Sequence, residues 1–255
     1  TVIADLPDRE VSDQYCSLLP EQAALYRKTL DEMIRRIEKA DASDVVESKM
    51  IRRGLVLKLI TALKQICNSA SQYLKSPSTA PDSGKAMMLF ELIGRAISSD
   101  RKVLIFTQYR EMGEKLQEWL REQLRVEAPF LHGGVPVKKR AQMVDAFQTD
   151  PSVKTLIVSL KAGGTGLNLT AASVVIHYDL WWNPAVEAQA TDRAYRIGQT
   201  KDVLVYRFIT SGTFEEKINR MLEQKKELAE LTVAVGESWI GEMKTDELRR
   251  LFELK

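Results

Sequence analysis

The stretch QATDRAYRIGQ, residues 189–199, concentrates side chains that could act on a phosphate. It places Arg193 three residues before Arg196, with Gln189 and Asp192 beside them. A guanidinium that is held in place can stabilise the charge that develops on a transferred phosphoryl group. The same composition also fits a solvated helix face with an Asp–Arg ion pair, so the spacing leaves both interpretations open.

Helix signals surround this stretch and predict one helix over residues 183–197. Asn183 is a suitable N-cap and Pro184 suits the first helical position. At about 100° per residue, the four polar side chains named above fall on one stripe. A neighbouring apolar stripe, predicted to pack on a sheet, consists of Val186, Ala190, Ala194 and Ile197.

A glycine-rich loop, SLKAGGTGLNL, follows an apolar run that reads as a buried strand. Gly163, Gly164 and Gly166 permit positive φ and close backbone approach, and their amide groups could hold a phosphate. An ordinary turn explains the same glycines. Lys161 is correspondingly either a phosphate contact or a surface lysine.

The segment DLWWNP and the turn FLHGG carry the remaining candidates. Trp181 and Trp182 point to opposite faces of a strand end, so one is predicted to be core. The other is either core as well or an aromatic that stacks on, or wedges against, a nucleic acid. His132 is a base, a ligand or a satisfied turn histidine, and neither it nor His177 sits in a metal-binding pattern.

The sequence has no GxxxxGK[ST] phosphate-binding loop. The tripeptide at residues 83–85 reads SGK, but Thr79 stands where the first glycine is required. No apolar strand ends in an Asp-Glu pair suited to magnesium. The chain is therefore expected to lack the parts that bind a nucleoside triphosphate and its metal by themselves.

Composition is that of a soluble globular chain. The 255 residues are 44% hydrophobic and 28% charged, enough for one large or two small domains. A net charge of +2 is too small to indicate a nucleic-acid partner. Cys16 and Cys67 are far apart, which disfavours zinc or a disulfide framework and favours a reducing compartment. The longest apolar runs, about six residues, are too short to span a bilayer, and the opening residues suggest a piece of a longer protein.

The elements that must position these residues change character along the chain. Helices are predicted over 20–39 and 45–67, after a candidate strand at 10–18 and before a Ser/Pro-rich linker at 75–84. Beyond the linker, strands alternate with amphipathic helices, which predicts an open, parallel α/β sheet. The predicted strands are 102–107, one in PFLHGG, 154–160, 173–180 and 203–209, and the helices include 137–148, 183–197 and 213–231. Ligands of such sheets bind at the carboxyl ends of strands, so chemistry is expected in the loops after 107, 131, 160 and 179.

Taken in order, the motifs resemble those of the Swi/Snf-type ATPases of helicase superfamily two, most of all their bacterial and archaeal members. KVLIFTQY is similar to motif four, SLKAGGTGLNL with DLWWNP to motif five, and QATDRAYRIGQ to motif six. TFEEKI resembles the start of the closing helix of these motors. The resemblance covers essentially the whole chain, and the combination is far more specific than any single motif.

This resemblance implies a RecA-like, mainly parallel open sheet flanked by helices, with an all-helical protrusion near the N-terminus. The implied segments are an interlobe connection with the first element (1–19), the protrusion (20–75), a linker (76–84), RecA-like lobe 2 (85–230) and a C-terminal tail with a helix (231–255).

The function implied is that of the second lobe of an ATP-driven double-stranded DNA translocase. In this family the nucleotide-binding motifs and most magnesium ligands lie on the first lobe, so ATP and Mg²⁺ belong to the intact protein and this chain alone is expected to be inactive. Implied partners are double-stranded DNA, the N-terminal RecA-like lobe and a DNA-bound protein as remodelling target, with no membrane. The expected location is cytoplasmic, at the nucleoid, in a prokaryote or nuclear in a eukaryote.

The matching motifs imply roles for individual residues. Arg193 and Arg196 would be arginine fingers that reach the γ-phosphate across the interlobe cleft. The residues that would position them or line the nucleotide cleft are Gln189, Asp192, Gly164 and Gly166. The residues that would touch or face DNA are Lys161, Trp182, Gln108 and His132.

The chain departs from the family pattern at two places. Tyr195 stands where many members have histidine, which affects the coupling around the arginines. Residues 68–70 read Asn-Ser-Ala in place of Asn-His-Pro, which affects how the protrusion ends. Two rival functions are a strand-separating helicase lobe, which the paired tryptophans and the protrusion disfavour, and a non-enzymatic DNA-binding module, which leaves the arginine stripe unexplained.

Overall fold

A six-stranded sheet organises the chain. The computed structural model describes residues 6–42, 46–159, 166–181, 183–226 and 237–255. The strand order is β1-β6-β5-β2-β4-β3, and each neighbouring pair runs parallel, as predicted. The strands are β1 Arg9–Cys16, β2 Lys102–Thr107, β3 Phe130–Leu131, β4 Thr155–Ser159, β5 Ala172–His177 and β6 Val203–Thr210.

Helices cover the sheet and extend beyond it. Their bounds are α1 Pro20–Asp41, α2 Val46–Asn68, α3 Ala70–Leu74, α4 Gly84–Ser98, α5 Arg110–Leu124, α6 Val137–Thr149, α7 Pro184–Thr191, α8 Phe214–Lys226 and α9 Thr245–Phe252, with a 3-10 helix over Glu237–Glu242. None of the described helices has the length and apolar character needed to cross a bilayer.

Strands β2, β4 and β5 are buried on both faces, which explains why they are continuous apolar runs. On β2, Val103 and Ile105 belong to the cluster formed with α4 and α5. Leu104 and Phe106 point the other way, into the cluster formed with α6 and α7. Parallel strands require crossover helices on the faces of the sheet, so alternate residues of one strand both find an apolar partner.

A third apolar cluster joins the N-terminal helices to the end of the chain. The Tyr26 hydroxyl donates to the Phe252 carbonyl at 2.7 Å. The Phe214 ring lies 6.4 Å from Tyr26 and 5.2 Å from Phe252, centroid to centroid. Helices α1, α2, α8 and α9 therefore share one core, and the division into segments 20–75, 85–230 and 231–255 stays a proposal.

Two helices differ from the sequence expectation. The helix predicted over 183–197 begins as expected, with Asn183 as N-cap and Pro184 as its first residue, but its predicted end is wrong because α7 ends at Thr191. Ile197, placed on its apolar stripe, is 88% exposed instead of packed on the sheet. Helix α4 carried no prediction; it begins where the Ser83 hydroxyl accepts a hydrogen bond from the Ala86 amide at 3.1 Å.

Candidate functional site

The arginine loop, residues Asp192–Gly198, follows α7 directly. The Arg193 carbonyl accepts a hydrogen bond from the Leu169 amide at 2.9 Å. The Ala194 carbonyl accepts one from the Gln199 side chain, also at 2.9 Å. The α-helical pattern is lost just before this, because the Arg193 amide bonds to the Ala190 carbonyl at 3.2 Å and the Ala194 amide to the Thr191 carbonyl at 2.9 Å, each three residues back. With the Arg193 and Ala194 carbonyls bonded elsewhere, the helix does not resume after α7.

Gln199 anchors this loop, a structural role that the sequence pattern does not predict. The side chain is buried, and its Nε2 also donates to the carbonyl of Ala172, the first residue of β5, at 2.9 Å. Its Oε1 accepts from the amides of Thr200 and Lys201, both at 2.9 Å. A glutamine after a glycine carries no sequence signal that separates this anchor from a surface side chain.

The two arginines are presented differently. Arg193 is half-buried, and burial lowers the pKa of its guanidinium from the ordinary value. A guanidinium still keeps its proton at neutral pH. Arg196 is exposed. The loop therefore offers one restrained and one accessible cation, each with several N–H donors suited to phosphate oxygens.

The predicted stripe of four polar residues does not lie on one helix. Gln189 is exposed on α7, whereas Asp192 caps its C-terminal end. The Asp192 carboxylate lies 3.5 Å from Arg9 Nη1, so its described ion pair is with the start of β1 rather than within the stretch.

The arginine loop lies beside the amino ends of strands. Gln199 bonds to the first residue of β5, and Arg9 is the first residue of β1. The loops after 107, 131 and 179 follow the carboxyl ends of their strands and so lie at the opposite edge of this parallel sheet. The arginine loop therefore lies away from the loops after 107, 131 and 179, where chemistry is expected from the sequence, because α7 crosses back toward the start of β6.

At the carboxyl edge, Asp179 orders the loop that holds Gln108. The Asp179 carboxylate accepts from the Thr107 hydroxyl at 2.5 Å and from the Gln108 amide at 2.9 Å. Burial raises the pKa of Asp179, and the Thr107 hydroxyl opposes that shift. The Gln108 carboxamide donates to the Leu180 carbonyl at 2.7 Å and accepts from Lys64 Nζ at 3.5 Å.

The same carboxylate connects to a buried ion pair. Asn68 Nδ2 donates to Asp179 at 3.2 Å, and Asn68 Oδ1 accepts from Lys85 Nζ at 3.3 Å. Lys85 Nζ lies 2.9 Å from both Glu215 oxygens. Burial lowers the pKa of Lys85, but the Glu215 carboxylate outweighs it, so the net shift is upward. We name this group the carboxyl-edge cluster: Asn68, Lys85, Thr107, Asp179 and Glu215.

This cluster joins α2, α4 and α8 to the ends of β2 and β5, and no local sequence pattern predicts it. In the sequence, Lys85 stands out only as the last residue of the SGK tripeptide, which does not form a phosphate-binding loop. Asn68 stands out only as the first residue of the Asn-Ser-Ala tripeptide that departs from the family pattern. A lysine that pairs with a glutamate 130 positions away has no local sequence signature.

His132 behaves as a satisfied turn histidine. Its Nδ1 accepts from the Gly134 amide at 3.1 Å, and its ring lies 4.9 Å from that of Phe130. Burial, and then the Arg110 charge, lower its pKa, so the imidazole is neutral at pH 7. With Nδ1 as acceptor, the proton is on Nε2, which leaves a neutral N–H donor.

Three predicted site residues, Lys161, Gly164 and Trp182, lie outside the described residues, as does Gly163. Gly166 is described: it is exposed, and its φ of +108° is one that L side chains rarely adopt. The neighbouring Trp181 is half-buried, and its amide donates to Glu187 Oε1 at 2.9 Å.

Comparison with known proteins places this geometry in a family. Residues 84–198 match the family described as the helicase conserved C-terminal domain. The chain is 42% identical to the putative ATP-dependent helicase/translocase YwqA of Bacillus subtilis, over 99% of this chain and 27% of that protein. It thus spans about a quarter of the length of this relative.

Two Sulfolobus solfataricus structures share the fold. The SWI2/SNF2 ATPase core in complex with dsDNA matches with a TM-score of 0.85 and 40% identity, covering 100% of this chain and 52% of that one. The SWI2/SNF2 ATPase C-terminal domain matches with a TM-score of 0.81 and 36% identity, covering 97% of this chain and 100% of that one. An open parallel sheet, motifs four to six in order and a match along a complete C-terminal domain agree, and the chain belongs to the SWI2/SNF2 ATPases, as the C-terminal lobe of their core.

Proposed function

We propose that this chain is the second motor lobe of an ATP-dependent double-stranded DNA translocase, and that Arg193 and Arg196 are its arginine fingers. The observation that carries the proposal is the arginine loop, in which a half-buried and an exposed guanidinium share a backbone pinned by Gln199. A pinned loop places its cations without reorganisation when phosphate charge develops.

In this function the γ-phosphate lies between the two lobes. Arg193 and Arg196 contact it when the lobes close, and Gln189 and Asp192 position them and respond to the nucleotide. Hydrolysis removes the contact and releases the closed arrangement. Because each lobe grips the DNA backbone, repeated opening and closing moves one lobe along the duplex.

Magnesium binding is assigned to the first lobe. The part of the chain that the structure describes contains no group of three acidic, histidine or cysteine side chains that could hold a metal ion. The guanidinium groups of Arg193 and Arg196 suit phosphate oxygens but repel a metal ion. Magnesium would be held mainly by the first lobe, as the family resemblance implies.

DNA is proposed to follow the carboxyl edge. The Gln108 carboxamide is already hydrogen-bonded to the Leu180 carbonyl and to Lys64. Gln108 is therefore proposed to order the DNA-facing loop. His132 offers a neutral Nε2–H to a phosphate oxygen. Lys161 and Trp182 keep the direct contacts that the family resemblance implies, and the solved relative in complex with dsDNA supports this partner.

The decisive test is Arg193→Ala, and separately Arg196→Ala, in the full-length protein. DNA-stimulated ATP hydrolysis is expected to fall by about 10³-fold or more, because an arginine finger contributes ~10³–10⁵ in rate. The dissociation constant for duplex DNA should change little, since the loop lies at the opposite edge from the proposed DNA contacts.

The matched control is Arg121→Ala. Arg121 is an exposed arginine on α5, 3.1 Å from Glu122. It should leave hydrolysis at the wild-type rate. Normal turnover in both loop variants would refute the finger assignment.

A forked duplex separates translocation from strand separation. The full-length protein is expected to hydrolyse ATP on this DNA without displacing the labelled strand, and to displace a blocking protein bound to the duplex. Efficient strand release would favour the helicase alternative.

A further inference from the structure

The segment Leu6–Arg9, which leads into β1, is attached to the arginine loop by side-chain contacts. The Tyr195 hydroxyl donates to the Pro7 carbonyl at 2.8 Å. The Arg9 guanidinium lies 4.9 Å from the centroid of the Tyr195 ring. The Arg9 Nη1 also lies 3.5 Å from the Asp192 carboxylate. One short stretch of incoming chain thus contacts two residues of the arginine loop.

The start of β6 also holds the segment of residues 6–9, through hydrogen bonds to Asp8. The Asp8 amide donates to Asp202 Oδ1 at 3.0 Å, and the Val203 amide donates to the Asp8 carbonyl at 2.9 Å. Residues 7–9 are therefore fixed between the start of β6 and the arginine loop. A displacement of this segment acts on both at once.

Tyr195 is well placed to pass such a displacement to the arginines. It stands between Arg193 and Arg196 in the chain and is half-buried, packed against the cluster of α6 and α7. Its phenol reaches further from the backbone than an imidazole would, which lets its hydroxyl meet the Pro7 carbonyl. The tyrosine that replaces the family's histidine at this position thus has a hydrogen-bond partner, the Pro7 carbonyl.

We propose that Arg9 and Tyr195 are positioning residues that set the arginine loop against the incoming chain and so make arginine placement depend on the arrangement of the lobes. The inference rests on the proposed function and on the family resemblance, which implies that residues 1–19 include the connection from the first motor lobe. Movement of that lobe pulls on the segment that enters at Pro7, and the Tyr195 hydroxyl, bonded to the Pro7 carbonyl, transmits the pull to the backbone between Arg193 and Arg196.

The first test is Tyr195→Phe in the full-length protein, which removes the hydroxyl and keeps the ring. The kcat of DNA-stimulated ATP hydrolysis should fall about fivefold, the effect of one lost hydrogen bond felt at the transition state. KM for ATP, Kd for duplex DNA and Tm should match wild type. The control is Tyr73→Phe, a half-buried tyrosine on α3 that should keep the wild-type kcat.

The second test combines Tyr195→Phe with Arg9→Gln. Each single variant should lower kcat several-fold, and the double variant should lower it by less than the product, because Arg9 packs on the Tyr195 ring. Arg95→Gln is the control for Arg9, since Arg95 is an exposed arginine paired with Glu91 on α4. It should leave kcat unchanged.

Several outcomes overturn the positioning role. These are an unchanged kcat in Tyr195→Phe, an equal loss in Tyr73→Phe, or a lower Tm with unchanged kcat, which would make the contact purely structural. If Arg193→Ala abolishes hydrolysis while Tyr195→Phe is normal, only the positioning role fails. If Arg193→Ala turns over normally, the finger assignment and the positioning role fail together.

Discussion

The carboxyl-edge cluster and the arginine loop hold their charges in opposite ways. In the cluster, the side chains of Lys85 and Glu215 are 0% and 3% exposed and neutralise each other at 2.9 Å. In the loop, Arg193 is only half-buried and Arg196 is exposed, while the backbone around them is pinned. One region satisfies its charges internally, and the other fixes its chain and presents its charges.

Because of this difference, the cluster is expected to affect mainly the stability of the fold and the arginine loop mainly ATP hydrolysis. A buried ion pair that loses one partner leaves an uncompensated charge, so the cluster is a place where substitutions unfold the protein. A loop anchored through backbone carbonyls can lose a guanidinium without losing its anchor. Substitutions in the two regions should therefore have different readouts.

The largest effect on stability is expected from Lys85→Ala. It strands the buried Glu215 carboxylate and removes a donor to Asn68, so the free energy of unfolding should fall by about 3–5 kcal/mol. Denaturant unfolding of the purified chain measures this loss. Arg95→Ala, which removes only an exposed pair with Glu91, should have almost no effect. A loss below about 1 kcal/mol in Lys85→Ala would show that the cluster is not structural.

His177 lies between the two regions and should make stability depend on pH. Its Nε2 is 2.9 Å from the Thr191 hydroxyl at the end of α7, and its ring stacks on Phe106. Burial, and then the Arg207 charge, lower its pKa to about 3. The unfolded chain, with an ordinary histidine pKa of about 6.5, therefore binds more protons, and stability is lost as the pH falls from 6.5 toward 3.

The size of this effect follows from the proton linkage, about 1.4 kcal/mol per pH unit at most. Because the raised pKa of Asp179 acts in the opposite direction, the comparison must be with His177→Phe, which keeps Asp179. Between pH 7 and pH 4.5, wild type should lose about 2–3 kcal/mol more than the variant. Equal pH dependence in the two proteins would rule out a buried, neutral His177.

Gln199→Ala tests the anchor of the arginine loop. Because its side chain bonds four backbone groups while buried, the free energy of unfolding should fall by about 2 kcal/mol. Gln189→Ala, at an exposed position on α7, should not change it. In the full-length protein Gln199→Ala should also slow ATP hydrolysis, and normal stability with normal hydrolysis would show that the loop needs no such anchor.

The smallest effect is expected from Gly198→Ala. The added methyl group meets open space, but φ is +101°, so the penalty is a backbone one of about 1–2 kcal/mol. Gly133→Ala is the control, because it also meets open space and its φ is outside the positive region. Similar unfolding free energies for the two variants would contradict a strained turn at the end of the arginine loop.

Much of the sheet could be predicted from local patterns. The run at 102–107 coincides with β2, and the run at 203–209 lies within β6, because central parallel strands are apolar on both faces and need no long-range information to be recognised. Helix α4 is absent from the sequence prediction, although its N-cap residue Ser83 is a local helix-start signal. The candidate site could be predicted less completely: motif six indicates the two arginines, whose role stays a prediction, but no local pattern indicates the anchor Gln199 or the partner of Tyr195.

By itself, the amino-acid sequence determined the order of motifs, the family and the parallel α/β sheet, because these depend on neighbouring residues. Only the tertiary structure decided where α7 ends and at which edge the arginines lie. Helical periodicity describes one helix at a time, whereas the loop after α7 is held by bonds from Leu169 and Gln199 to the Arg193 and Ala194 carbonyls. Tyr195 likewise bonds to a residue 188 positions away, a contact that exists only once the sheet has brought the two ends of the chain together.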